Sequence, residues 1–281
     1  MPITFAAAAS HVPGMTAWAE AAPVAQKDRV YGAFERLRQE LDASGTDTLI
    51  VLTSEHWANF FLDHIGAFCV GRAEIYRGPV EPWLKIDKCE IKGDPDLAAE
   101  LIDAAYDGGI EPSFAYELEL DHGTMVPLHF LAPRMDRPVV PILFNTLAAP
   151  QPNASRCLEF GRLIGRVAAQ SPKRIGLIAT GGLSHDPGEK NHGRIDRDFD
   201  QRFLSAMAAG DAGKLGAYTR AELAAAGAGA FELLSWVALA GALGGRKGEV
   251  VAYEAVEPWA TGVGLMTFTP PASLALKDLA A

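Results

Sequence analysis

Four histidines and one glutamate stand where their side chains could hold a metal or move a proton. His11 lies in S-H-V-P-G, His56 in S-E-H-W-A-N-F-F, His122 in L-D-H-G-T-M-V-P-L and His185 in T-G-G-L-S-H-D-P. Glu232 sits in G-A-F-E-L-L-S-W-V-A-L-A-G-A-L, among apolar neighbours. Desolvating a carboxylate is expensive, so a glutamate on such a helix needs either an exposed stripe or a cationic or metal partner. Phe231, Leu233, Leu234 and Trp236 leave little room for the stripe. Two neutral imidazoles and one carboxylate form a donor set suited to non-haem Fe(II), and zinc hydrolases draw on the same ligand types.

Each residue also has a plain structural reading. His11 could be a hydrogen-bonded strand cap, and His56 a packed imidazole among aromatics. His122 could belong to a local pair in which Asp121 orients it and holds the loop. Gly181 and Gly182, before His185, permit a tight turn or a close ligand approach. A phosphate loop is the weaker reading there, because the Walker pattern and the full G-x-G-x-x-G fingerprint are both missing. His64, His129 and His192 read as packing or surface residues.

The elements that must position these side chains are legible as short apolar runs: ITFAAAA (3–9), TLIVLT (48–53), PVVPILF (138–144), RIGLIAT (174–180) and GLMTFT (264–269). Helical spacing runs through 28–44, 157–170 and 220–243. Strands alternating with helices predict an α/β protein, a single domain over 1–281 with a central, largely parallel or mixed sheet flanked by helices. In open sheets of this kind, ligands sit beyond the carboxyl ends of strands. His11, His56 and His185 each follow a predicted strand. The polar stretch 186–200 reads as a long surface loop.

Composition narrows the function classes. Of 281 residues, 49% are hydrophobic, and 35 acidic against 25 basic residues give a net charge of -10. That surface disfavours nonspecific binding to nucleic acid or anionic membrane. Cys69, Cys89 and Cys157 are an odd count without C-x-x-C spacing, which predicts free thiols and a cytoplasmic setting. No segment reads as a signal peptide or a membrane span.

Taken in order, S-H-V-P, E-H-W-A-N-F-F-L-D, L-D-H-G-T-M-V-P-L, T-G-G-L-S-H-D-P, and E-L-L-S-W followed by P-W-A-T-G-V-G resemble the class III extradiol ring-cleavage dioxygenases. The resemblance spans residues 10 to about 264, close to the whole chain. It implies Fe(II) as cofactor, His11, His56 and Glu232 as metal ligands, and His185 as the acid/base histidine. His122 becomes the additional active-site histidine that donates a proton or a hydrogen bond. It also implies a small aromatic diol, catechol-type or hydroxypyridone-type, with O₂ as co-substrate, and a role in aromatic catabolism. A homo-oligomer, or a small helical partner subunit, follows from the same likeness. By analogy Trp259 lies near the pocket, where it either stacks on substrate or serves the core. The rival readings are a zinc hydrolase on the same scaffold and a noncatalytic binding module.

Overall fold

The computed structural model describes residues 3–188 and 190–268. The strands are β1 (Ile3–Ala9), β2 (Thr48–Ser54), β3 (Phe68–Gly71), β4 (Ile75–Gly78), β5 (Cys89–Lys92), β6 (Ser113–Ala115), β7 (Val139–Phe144), β8 (Ile175–Thr180), β9 (Glu249–Val256) and β10 (Thr261–Thr267). The helices are α1 (Gly14–Ala17), α2 (Val24–Ala43), α3 (Pro95–Asp107), α4 (His122–Leu131), α5 (Ala154–Gln170), α6 (Arg197–Ala209), α7 (Ala212–Gly216), α8 (Arg220–Ala226) and α9 (Leu233–Leu243).

Eight strands form one mixed sheet in the order β6-β3-β7-β2-β8-β1-β10-β9, and β4 pairs with β5 in a separate ribbon. The middle four, β7-β2-β8-β1, run parallel; β3 and β10 add antiparallel neighbours on either side. Parallel strands covered on both faces carry continuous rather than alternating apolar sequence. β2 and β8 are accordingly buried at every residue.

One face of the sheet packs on α3, α5, α6 and α9, and the other on α2 and α4. Alternate residues of β1 supply the two cores: Ala6 and Ala8 to the first, Phe5, Ala7 and Ala9 to the second. Trp236 on α9 is fully buried, and cutting it to alanine would cost about 3–5 kcal/mol.

The expected strands and helices are present with small shifts at their ends. The segment predicted at 264–269 is β10, of which residue 269 lies outside the described residues. The stretch 220–243 is not continuous helix. Gly227, at φ 127°, closes α8, and a 3-10 turn, Ala228–Glu232, precedes α9. A left-side φ of this kind is open to glycine and strained for other residues. The polar segment 186–200 ends in helix, because Asp196 caps α6 by accepting from Phe199 N–H at 3.0 Å.

Candidate active site

Adjacency of β2, β8 and β1 brings three strand ends together. His11 lies two residues past β1, His56 two past β2 and His185 five past β8. Glu232 reaches the same point from the 3-10 turn. The break at Gly227 therefore aims the carboxylate at the sheet, where a continuous helix would carry it elsewhere. One Glu232 oxygen lies 2.9 Å from His11 Nε2. The other lies 3.3 Å from His56 Nε2 and 3.4 Å from His185 Nε2. Gly182 N–H donates to this carboxylate at 2.6 Å. His185 is crowded from two sides: a Cβ on Gly182 or Gly229 would stand 2.2 Å or 2.1 Å from its ring.

Each imidazole presents Nε2 to the carboxylate while an acceptor takes Nδ1. His185 Nδ1 lies 3.0 Å from the Leu183 carbonyl, and His56 Nδ1 lies 3.0 Å from Asp121 Oδ2. His11 Nδ1 lies 3.1 Å from Thr180 Oγ1. A threonine hydroxyl could donate or accept, and the helix next to it decides. Pro127 lies inside α4 and has no N–H, so the Gly123 carbonyl four residues earlier lacks its helical donor. Thr180 Oγ1 lies 2.8 Å from that carbonyl and 2.8 Å from Thr53 Oγ1, and its single proton goes to these oxygens rather than to His11. Its lone pairs are then left to accept from His11 Nδ1–H, and His11 Nε2 keeps its own lone pair.

Several Nε2 lone pairs converging on a carboxylate form an acceptor-rich cluster that a bound cation or added protons must balance. The donor types and their held Nδ1 atoms fit a divalent metal. Electrostatics carry the same mark. Burial pushes the His11 imidazole below its ordinary pKa, against the pull of Glu232. Burial also opposes charge on His56 and His185, but carboxylates outweigh it. Asp121 and Glu232 raise His56 well above its usual value, and Glu232 raises His185. Burial would likewise raise the Glu232 carboxyl, yet His11 and His185 hold it well below the carboxylate range.

His122 stands beside this group, its ring 4.0 Å from His56 and 5.5 Å from His11. Ligand atoms of His11, His56 and His122 all fall within 4.8 Å of one another. The Asp121–His122 pair expected from sequence does not form. Asp121 instead caps α4 through Gly123 N–H and holds His56, because its side chain points back across the helix start. His122 is held by Glu81, whose Oε1 lies 2.6 Å from Nδ1 and accepts the backbone N–H at 3.1 Å.

Glu81 and Thr180 carried no local signal; both act across long sequence separations. Glu55, beside His56, accepts from the N–H groups of Trp57, Ala58 and Asn59 and pins the loop that follows. Trp259 is buried, its indole N–H 3.5 Å from the Trp18 carbonyl, so it serves the core. Trp83, open to solvent, lies 6.5 Å from the His122 ring, and Trp18, also open, stacks on Trp83. His64, His129 and His192 are exposed.

Sheet order and donor set are those of an α/β enzyme that works at the carboxyl ends of parallel strands. The chain belongs to the class III extradiol dioxygenases: residues 5–264 match the family described as the catalytic LigB subunit of aromatic ring-opening dioxygenase. It is thus a ring-cleaving dioxygenase. Among its relatives, the 2,3-dihydroxyphenylpropionate/2,3-dihydroxicinnamic acid 1,2-dioxygenase of Photorhabdus laumondii is 26% identical, covering 88% of this chain and 92% of the relative. The enzyme of the same name from Burkholderia vietnamiensis is 29% identical, covering 92% and 94%. In fold the chain is similar to an uncharacterized protein, JW3007, from Escherichia coli K12. The TM-score is 0.61 at 17% identity, with 94% of this chain and 98% of that one covered. No described helix is long and apolar enough to cross a membrane.

Proposed function

We propose that this chain is an Fe(II)-dependent extradiol dioxygenase that opens a small aromatic diol, catechol-type or hydroxypyridone-type, with both atoms of O₂. The observation that carries the ligand set is the placement of Glu232 at 2.9 Å from His11 Nε2 and 3.3 Å from His56 Nε2. Two atoms bound at right angles to one ion, each about 2.1 Å from it, lie about 3 Å apart. Two histidines and a carboxylate leave a face open, the pattern of non-haem Fe(II) oxygenases. Bound iron supplies one coordination sphere in which the diol and O₂ meet.

The remaining steps fall to protein groups. His185 keeps Nδ1–H on the Leu183 carbonyl, which leaves Nε2 to accept a proton from the substrate hydroxyl. His122, fixed by Glu81, offers Nε2 for proton donation or a hydrogen bond to the opening ring.

The relatives' names extend the reading to aromatic catabolism, and the free cysteines agree with a cytoplasmic enzyme. We also propose that the whole chain forms one catalytic domain and assembles as a homo-oligomer, with a small helical partner subunit as the variant arrangement. The cluster of His11, His56 and His122 favours a second reading, in which His122 replaces Glu232 as third ligand and the metal is zinc.

Anaerobic Fe(II) reconstitution, followed by oxygen uptake and product absorbance on a panel of diols, tests the activity. Metal content of the alanine variants tests the ligands. Loss of iron in Glu232→Ala and its retention in His122→Ala and His185→Ala support the assignment. The opposite pattern selects the three-histidine site.

A further inference from the structure

We propose that Trp83 and Trp18 form the wall that binds the unreactive part of the substrate, and that this part is planar, apolar and uncharged. The inference rests on the ring-cleavage reading and specifies its substrate. The two indoles stack at 5.9 Å with 28° between planes, and Trp83 lies 6.5 Å from the His122 ring. Both are anchored at the backbone yet open to solvent, at 45% for Trp18 and 49% for Trp83.

Their anchoring is specific. Glu81, two residues before Trp83, is tied to His122, and Leu84 on the other side is fully buried. The Trp83 turn is therefore fixed relative to the site histidines. Trp18 is set by its carbonyl, which accepts from Trp259. Gly14 makes the fit possible, since a Cβ there would stand 2.5 Å from the Trp259 ring and 2.9 Å from Trp18 Nε1. Two stacked, half-open indoles on anchored backbone beside a reaction centre offer a flat apolar face on which a planar ring can stack.

Charge selects among flat ligands. The carboxylate at the foot of this wall is Glu81, and the whole chain carries -10. An anionic substituent reaching the foot of the wall meets the Glu81 carboxylate, whereas an aryl substituent meets indole. This separates the chain from relatives whose names carry dihydroxyphenylpropionate, a substrate with a carboxylate tail.

The test uses the Fe(II)-loaded full chain with catechol, 3-phenylcatechol and 3-(2-carboxyethyl)catechol. The wild type should favour the phenyl over the carboxyethyl diol in kcat/KM. In Trp83→Ala the ratio of kcat/KM for 3-phenylcatechol to that for catechol should fall about tenfold, mainly through KM, with Trp83→Phe retaining most of it. A wild-type preference for the carboxyethyl diol, or an unchanged ratio in Trp83→Ala, overturns the proposal.

Anaerobic titration with 3-phenylcatechol, followed by indole fluorescence, needs no turnover. Saturable quenching that Trp83→Ala and Trp18→Ala weaken about tenfold supports the wall; quenching that both variants leave intact overturns it. If the wild type opens none of the three diols, the catechol-type substrate reading falls, and the titration still decides the wall.

Discussion

A single carboxylate oxygen of Asp121 accepts both the backbone N–H of His56, at 2.9 Å, and a bond from its ring Nδ1, at 3.0 Å. Its second oxygen caps α4 through Gly123 N–H. The residue therefore fixes the His56 ring and starts a helix at once. Asp121→Asn should lower metal affinity about 10–100-fold, since outer partners of ligating histidines have effects of that size. Competition with a chelator of known affinity measures it. Affinity equal to the wild type would mean that His56 is oriented by something else.

Thr180 acts on His11 through a hydroxyl whose proton is taken up by the Gly123 carbonyl and Thr53 Oγ1, leaving its oxygen to accept. Thr180→Val keeps the shape but removes the acceptor, and should weaken metal binding about tenfold or more. Thr180→Ser restores the hydroxyl and should recover most of the loss. Equal losses in both variants would point to packing instead.

Gly229 leaves room for the His185 ring. Gly229→Ala places a methyl where the ring stands and should push it out of line. If His185 is the acid/base group, kcat falls about 10²–10⁴-fold while iron content stays near one per chain. Paired metal analysis and turnover give the answer, and a variant with normal kcat would remove His185 from the reaction.

Acid should loosen the protein through Asp121 and Glu81. Burial alone would raise both carboxyls, but His56 and His122 hold them below their ordinary values. Groups depressed in this way stabilise the fold above the unfolded-chain value, about 4, and lose that contribution as pH falls through the folded-state value. Thermal melting of the apo-protein between pH 7 and pH 3 should show a falling midpoint on acidification. In Glu81→Gln the fall should be shallower, and equal slopes would show that Glu81 is not part of the linkage.

Much of this was legible in the sequence, for a definite reason. Buried parallel strands need unbroken apolar runs, so β1, β2, β7 and β8 announce themselves, and the histidines just beyond them inherit a place at the strand ends. Glu232 stood out because apolar neighbours make a lone carboxylate costly. The short strands β3 to β6 did not stand out, because with three or four residues each they show no usable periodicity. Nor did the partner of His122: Glu81 is 41 residues away, while Asp121 is adjacent and was the obvious choice. Adjacency misled there because consecutive residues at a helix start point in different directions. The break in 220–243 had a visible cue in Gly227, outweighed by the alanine-rich helical spacing around it.

His11, His56 and Glu232 come from segments separated by long stretches of chain, the last two being 176 positions apart. On the proposed ligand set the ion is thus also a staple, closing two large loops with one small object. Because the folded site binds the ion and the unfolded chain does not, the free energy of binding adds to the stability of the fold. Iron would then protect the enzyme from proteases and heat as well as arm it. A cell short of iron would lose the protein itself, through faster turnover of its empty form, and not merely its activity.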